Sequence, residues 1–362
     1  MWAAIRRQQA GQIMVSEGGV MKSVIRSVLA AATLAAAALM SAAASAQSAT
    51  APPDPMANPC QRACLEGWVN NYLEAMKAHN VDPALFAREV KFTENGIHLP
   101  LGGEGLWFDT TGIGNYKFYV PDIETQQIAF FGTVQIAGRA STQGPAKPTI
   151  VGLVLRLKIR KGKITEIEQL SIRPDVQLGA AATAAAPPRF PPTGEAVEAN
   201  GAPHPIFAEV IPPAERMSRA DLIRTANYYF TGMAPNDGKG YYPFTDDCLR
   251  HENGMVTAGP KDPAAPNRQG CKEQFEKSLK GVVSRIRDRR FVAVDRERGI
   301  VFAFAFFDHH NINWTWQLGE LFKIEKGKIR RIEAMFQKAP FGTPSGWSTY
   351  EQAMSEDIQD VR

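Results

Sequence analysis

Short runs of alternating apolar and polar residues dominate the chain, and one of them occurs twice. Leu157-Lys158-Ile159-Arg160-Lys161-Gly162-Lys163-Ile164-Thr165-Glu166-Ile167-Glu168 returns as Phe322-Lys323-Ile324-Glu325-Lys326-Gly327-Lys328-Ile329-Arg330-Arg331-Ile332-Glu333. Period-two alternation on both sides of a Lys-Gly-Lys turn predicts strand, turn, strand in each place. Upstream, Thr93-Glu94-Asn95-Gly96 is echoed by His251-Glu252-Asn253-Gly254, and Asn-Gly is a turn signal. From that Glu to the Lys before the turn glycine is 67 residues in one copy and 74 in the other. Each copy opens with apolar residues at helical spacing: Leu65, Trp68, Val69, Tyr72, Leu73 and Met76 in the first, Leu222, Ile223, Ala226, Tyr229 and Phe230 in the second, where Ser218 is placed to cap the helix. Ile300 to Phe307 holds eight apolar residues in succession, which predicts a strand covered on both faces.

These elements set a domain plan. Residues 60–173 and 217–345 are the two copies, and 346–362 is a tail. The segment 174–216 is dense in Ala, Pro and Gly and reads as a linker that wraps or bridges without a core. Residues 1–46 read as an address, with 1–20 a leader ahead of a truer start at Met21. Met21 to Arg26 is a short basic region, Val28 to Met40 is an Ala-rich apolar run, and Ala44-Ser45-Ala46 offers the small residues a signal peptidase needs. The apolar run is far shorter than the roughly 20 residues of a membrane span. Cleavage near Ala46 is therefore expected, giving a periplasmic or secreted protein with no membrane association afterwards.

In the second copy, Tyr228-Tyr229, Asp247-Cys248, Arg250-His251-Glu252-Asn253-Gly254, Arg289-Arg290-Phe291 and Phe306-Phe307-Asp308-His309 resemble SnoaL-like proteins. Thr93-Glu94-Asn95-Gly96 with Glu104-Gly105-Leu106-Trp107 in the first resembles a secreted branch of the same superfamily. The resemblance implies an α+β chain of two tandem cone-shaped domains of the SnoaL-like and NTF2-like kind, each with N-terminal helices packed on a curved antiparallel sheet. It says little about function, since such cones serve dehydratases, isomerases, cyclases, lyases and plain binding modules. The superfamily's Asp–His catalytic pair has no recognisable short motif in this chain.

Composition adds exclusions. A chain of 362 residues, 44% hydrophobic and 22% charged, is ordinary globular material with room for two domains. Its formal charge of +4 falls to +1 once Arg6, Arg7, Lys22, Arg26 and Glu17 are removed with the address, leaving 37 basic against 36 acidic residues. That balance, without a basic block, gives no case for nucleic acid. In an oxidising compartment the four cysteines read as two disulfides. Cys248 and Cys271 would close a turn-rich loop, with stabilisation on the order of 3 kcal/mol. Cys60 and Cys64 stand where a helix begins, and helical spacing puts them near the limit of disulfide reach, so that bond needs a distorted first turn. A zinc site is the rival reading, but no His stands at matching spacing. With no Gly-rich dinucleotide loop, phosphate loop, Gly-x-Ser-x-Gly elbow or His-Glu-x-x-His, no cofactor and no metal are expected. The expected partner is a small-molecule ligand or substrate, and an oligomer stays open.

What remains is general acid–base work by ordinary side chains. Alternation groups His309 with Val301, Ala303, Ala305 and Phe307, opposite Asp308. A face with two alanines has room for a ligand, so His309 is a candidate for moving a proton, or else a strand-end histidine. Glu320 shares a face with Leu318, Phe322 and Ile324, where the first copy has Leu155, and it is either paired with an arginine or used. Glu252 is a third catalytic candidate. Glu94, Asn95 and Asn253 occupy repeat positions that either hold a substrate or form turns. Tyr229, Asp247 and Arg250 are substrate-binding candidates, with an ion-pair network as the alternative, and Trp107 and Tyr116 line an aromatic pocket or sit in the core. The Arg285-Arg287-Arg289-Arg290 run reads as a solvated strand face, with attraction of an anionic substrate as the alternative. The expectation is an exported, cofactor-independent lyase, dehydratase or isomerase acting on a small hydrophobic, hydroxylated molecule, with the principal site in the second copy. The alternative is a non-catalytic periplasmic binding or interaction module.

Overall fold

The computed structural model describes residues 59–138, 147–174, 191–235, 237–277 and 283–362, so the expected address and cleavage site lie outside the described residues. The chain is α+β with two β-sheet domains. The first sheet contains β1 (Phe86–Glu94), β2 (Ile97–His98), β3 (Thr110–Asp122), β4 (Gln127–Ile136), β5 (Thr149–Arg160) and β6 (Lys163–Ile172), in the order β2-β1-β6-β5-β4-β3. The second contains β7 (Phe244–Glu252), β8 (Met255–Ala258), β9 (Arg285–Asp295), β10 (Ile300–His309), β11 (Trp314–Glu325) and β12 (Lys328–Pro340), with β13 (Ile358–Asp360) added on one edge. Its order, β8-β7-β12-β11-β10-β9-β13, repeats that of the first. Neither sheet is wholly antiparallel as expected. β1 runs parallel to β6 and β7 parallel to β12, because the chain returns to its first long strand only after a full meander.

The repeated turns are built alike. Asn95 and Asn253 have φ of 54° and 49°, and the glycines that follow both have φ of 82°. Positive φ at both central positions is the type I′ geometry that Asn-Gly supports. Each Asn also extends the sheet: Asn95 Oδ1 accepts from the Ser171 amide at 2.8 Å and Asn253 Oδ1 from the Phe336 amide at 2.9 Å. These contacts make both asparagines structural pieces of the parallel strand pair.

Three cores follow from the strand faces. Helix α1 (Arg62–Lys77) contributes Leu65, Val69, Tyr72, Leu73 and Met76 to a core on one face of the first sheet. The expected distorted first turn is not needed, because Cys60 precedes the helix, is held by Gln126 and bonds to Cys64 with Cα atoms 5.4 Å apart. α2 (Leu106–Asp109), whose amide end meets Glu94, belongs to the first domain, and α3 (Thr193–Ala199) follows it in the linker. Helices α4 (Arg219–Met233) and α5 (Cys271–Lys277) supply the core on the second sheet, where Cys271 is bonded to Cys248. The third core lies between the sheets, which pack face to face. The apolar run of β10 serves two of them, since Val301, Ala303, Ala305 and Phe307 join the helix-side core while Ile300, Phe302 and Phe304 meet the other sheet. Burying each large side chain there is worth about 1.5–3 kcal/mol. Gly319 stands at the repeat position of Val154, and a Cβ on it would run into Val154 and Phe302, so the absence of a side chain is what lets the sheets approach.

Two expectations about the joint are corrected. The described part of the linker does enter a core: Val197 of α3, and Ile206 and Phe207 of a 3-10 turn at Pro205–Ala208, belong to the inter-sheet cluster. A Cβ on Gly254 would strike Ala196 of α3, while one on Gly96 would strike the Pro344 carbonyl, so the chain that follows the last long strand of each sheet covers the Asn-Gly turn of the other. The arginine run is likewise not solvated. Arg287, Arg289 and Arg290 are buried, and only Arg285 keeps partial exposure. They face the second sheet's edge and the other sheet, where Arg285 and Arg287 donate to Asp308 and Arg290 to Glu168. Among the described residues, no helix is long and apolar enough to cross a membrane.

Candidate functional site: a pocket between the two sheets

The expected candidates divide into groups. Glu320, Arg250, Glu252 and Tyr229 come together on the helix side of the second sheet. Strand pairing sets Glu320 between Ala303 and Ala334, with Glu252 beyond Ala334. Arg250 donates from Nε to the Tyr229 hydroxyl at 3.0 Å, from Nη1 to Gln274 Oε1 at 2.8 Å, and from Nη2 to Glu252. Glu320 is 1% exposed, and among the described residues its Oε2 has no hydrogen-bond partner. Burial pushes its carboxyl up to about 8, against the opposing pull of Arg250 and the Tyr229 hydroxyl. Aromatic rings close around this cluster, with Tyr229 4.9 Å from Phe275 and 5.2 Å from Phe322.

His309 is not part of it. It is buried with its ring 4.3 Å from that of Trp316, and it pairs with Trp314 at the far end of β10. The six steps along the strand from Ala303 to His309 span about 20 Å at strand rise, so His309 and Glu320 do not meet on one small substrate. Asp247 is exposed and pairs with Arg330 at 3.2 Å, also away from the cluster. In the first domain, Glu94 accepts from the Leu106 amide at 2.9 Å and from Gln169 Nε2 at 2.7 Å. Gln169 Oε1 accepts from the Tyr72 hydroxyl, which accepts from Trp107 Nε1. This closed network ties α1, α2 and the sheet together, and Trp107 is fully buried core rather than pocket lining.

The polar groups that open on a cavity lie elsewhere. A pocket of about 420 Å³ between the sheets is walled by Phe131, Val197, Pro203, Pro205, Leu249 and Met335, and its polar lining includes Tyr116, Glu333, His251 and His204. Both domains and the linker build it. The position of β3 is set by Glu198 of α3, which accepts from the Asn115 amide at 2.8 Å and from Thr133. Tyr116 of β3 then donates its hydroxyl to Glu333 Oε2 at 2.7 Å. Among the described residues Glu333 forms no ion pair, and loss of water pushes its carboxyl up to about 7, with the Tyr116 hydrogen bond acting the other way. His251 is held down to about 4 by burial, aided by Arg331, His204 and Arg268. Burial also lowers His204, whose Nδ1 accepts from the Ile206 amide at 3.2 Å. An apolar cavity with a few convergent polar groups and a carboxyl titrating near neutrality has the physical character of a ligand site.

Of the expected site residues only Tyr116 lines this pocket. Glu333, His251 and His204 had no part in the expected chemistry, and yet a signal existed. The run Ile300 to Phe307 says that the face of the sheet opposite the helices is covered, and Glu333 stands on that face. Among the described residues, no group of three or more His, Cys, Asp or Glu is arranged to hold a metal ion.

Residues 215–336 match a family described as a domain of unknown function (DUF8021). No curated protein matches the chain. Two solved structures are similar to it at 17% identity and a TM-score of 0.25. One is a de novo designed protein with a curved β-sheet, covering 33% of this chain and 88% of that one. The other is a protein of unknown function with a cystatin-like fold from Methylobium petroleophilum PM1, covering 34% of this chain and 80% of that one.

Proposed function

We propose that this protein binds a small, largely apolar molecule between its sheets and moves a proton there, as an exported, cofactor-independent enzyme of the lyase, dehydratase or isomerase kind. The observation that carries the reading is the Glu333 carboxyl, titrating at about 7 on the wall of a 420 Å³ pocket. An acid or base works best when its pKa lies near the working pH. Tyr116 holds Oε2, which leaves Oε1 to face a ligand. The two disulfides support an oxidising destination, periplasmic or secreted after cleavage near Ala46. The shared strand order of the two sheets supports a tandem pair of SnoaL- or NTF2-like cones with helices on their inner faces.

The test is turnover. Purified protein is incubated with a panel of small hydroxylated apolar compounds, and their consumption is followed by mass spectrometry. Glu333→Gln should lower turnover by about two to four orders of magnitude while the protein stays folded. Equal turnover by wild type and Glu333→Gln, with loss in Glu320→Gln, would move the chemistry to the helix side of the second sheet. Binding without turnover of any compound would leave a binding module.

A further inference from the structure

The polar groups of the pocket have a fixed spacing. β7 and β12 run parallel with His251 opposite Glu333. The two side chains therefore leave the sheet on the same face, with their roots about 4.8 Å apart, and both line the pocket. His204 lies on the linker wall. Because its Nδ1 accepts from the Ile206 amide, the neutral ring carries its proton on Nε2 and presents a donor. Tyr116 is already committed to Glu333. Asn200, also on the linker wall, donates its Nδ2 to the Gly254 carbonyl at 2.9 Å, and most of the remaining wall is apolar, so the neighbouring pair Glu333 and His251 sets how a ligand sits on the sheet.

We infer that the pocket takes a neutral, largely apolar compound bearing two oxygens on the same or neighbouring short segment, a hydroxy ketone or a diol, with one oxygen on Glu333 and the other on His251. This deepens the function proposed above and rests on the pocket being the ligand site. The charged surroundings agree with it. Burial, aided by Arg331, His204 and Arg268, keeps the proton off His251, so the ring is a neutral acceptor for a ligand hydroxyl. Arg331 and Arg268 also oppose an ammonium group. A carboxylate ligand would meet Glu333, which becomes an anion as pH rises through its value of about 7. The groups facing Glu333 are Tyr116 from β3, His251 from β7 and His204 from the linker, none of them cationic at neutral pH.

A matched series of probes separates the classes: phenacyl alcohol, styrene glycol, acetophenone, mandelate and phenylethanolamine, titrated calorimetrically into the mature protein at pH 6 and pH 8. Phenacyl alcohol and styrene glycol should bind, with acetophenone about tenfold weaker for want of one hydrogen bond. Phenacyl alcohol should weaken several-fold from pH 6 to pH 8 as the Glu333 donor is lost. Glu333→Gln should retain binding within a few fold and remove that pH dependence, and His251→Leu should bring phenacyl alcohol down to the level of acetophenone. Ala202→Trp, at an exposed position on the pocket wall, should block every probe. Tighter binding of mandelate or phenylethanolamine, blocked by Ala202→Trp, would overturn the neutral class and leave the pocket as the site. Binding of phenacyl alcohol that survives Ala202→Trp would place it elsewhere and overturn the pocket reading too. Equal binding of acetophenone and phenacyl alcohol, or no binding by any probe, would overturn the two-oxygen class, while the turnover comparison of Glu333→Gln tests the proposed function separately.

Discussion

Glu168 and Glu333 hold the same position in the two repeats, each on the last long strand of its sheet and each facing the other domain. Their partners come from equivalent strands. Arg290 of β9 reaches Glu168 with two hydrogen bonds, at 2.8 and 2.7 Å, and Arg156 adds an ion pair at 3.4 Å. Tyr116 of β3 reaches Glu333 with one hydrogen bond and no charge. One glutamate is a sealed cross-domain ion pair. The other has only a hydroxyl, opens on a pocket, and titrates near neutrality. The lesson is that in a duplicated fold the chemistry of an acid at the joint is set by the partner across it, more than by its own strand.

The strongest way to break the comparison is to remove the arginine. Arg290→Leu leaves Glu168, 2% exposed, with a single longer ion pair, and removing one partner of a buried pair costs about 3–5 kcal/mol. Denaturant unfolding at neutral pH should show that loss, and a change below about 1 kcal/mol would mean the pair does not hold the domains together. Next in size is a difference of sign. The folded Glu333 carboxyl sits at about 7 against an ordinary 4.5, so the folded state holds that proton more tightly than the unfolded one. Wild type therefore loses stability as pH rises from about 4.5 through about 7, and the full cost, on the order of 3 kcal/mol, is present above that range. Glu333→Gln should be more stable than wild type at pH 8 and no different at pH 4, whereas Glu168→Gln should be less stable at both pH 6 and pH 8.

Smaller effects test the symmetry itself. Gly96→Ala and Gly254→Ala each place a Cβ at positive φ and against backbone of the following segment, so each should cost about 2 kcal/mol or more, and by similar amounts. A large cost at one and none at the other would show that only one crossing segment matters. Tyr116→Phe should cost about 1 kcal/mol at pH 8, where it removes a hydrogen bond to the ionised acid, and raise the Glu333 midpoint further.

Much of the fold was legible in the sequence because its signals are local. The Lys-Gly-Lys and Asn-Gly turns fix their own backbone, and period-two alternation fixes which side chains share a face. The grouping of Val301, Ala303, Ala305 and Phe307 on one face, and of Leu318, Phe322 and Ile324 on another, rests on alternation alone and agrees with the observed core. The joint was not legible. Ile300 to Phe307 announces cover on both faces without saying that a second sheet supplies it, and that omission turned the Arg285–Arg290 strand into an apparent surface. The same gap concealed the pocket. Glu333 reads as one more charged residue of a hairpin until Tyr116, more than two hundred residues earlier in the chain, is seen across the joint. The legible candidates were accordingly those within one repeat, such as Glu320, Arg250 and Tyr229, while the pocket shared between the domains was not legible.

The most direct measurement is a carbon-detected NMR titration of the glutamate side-chain carboxyls in the mature protein, with the Glu333 signal assigned by its absence in Glu333→Gln. A midpoint near 7 is expected, moving upward in Tyr116→Phe. A midpoint at the ordinary carboxylate value of about 4.5 would mean that Glu333 is solvated and charged at neutral pH, and would contradict the claim that the joint between the two sheets is where this protein moves a proton.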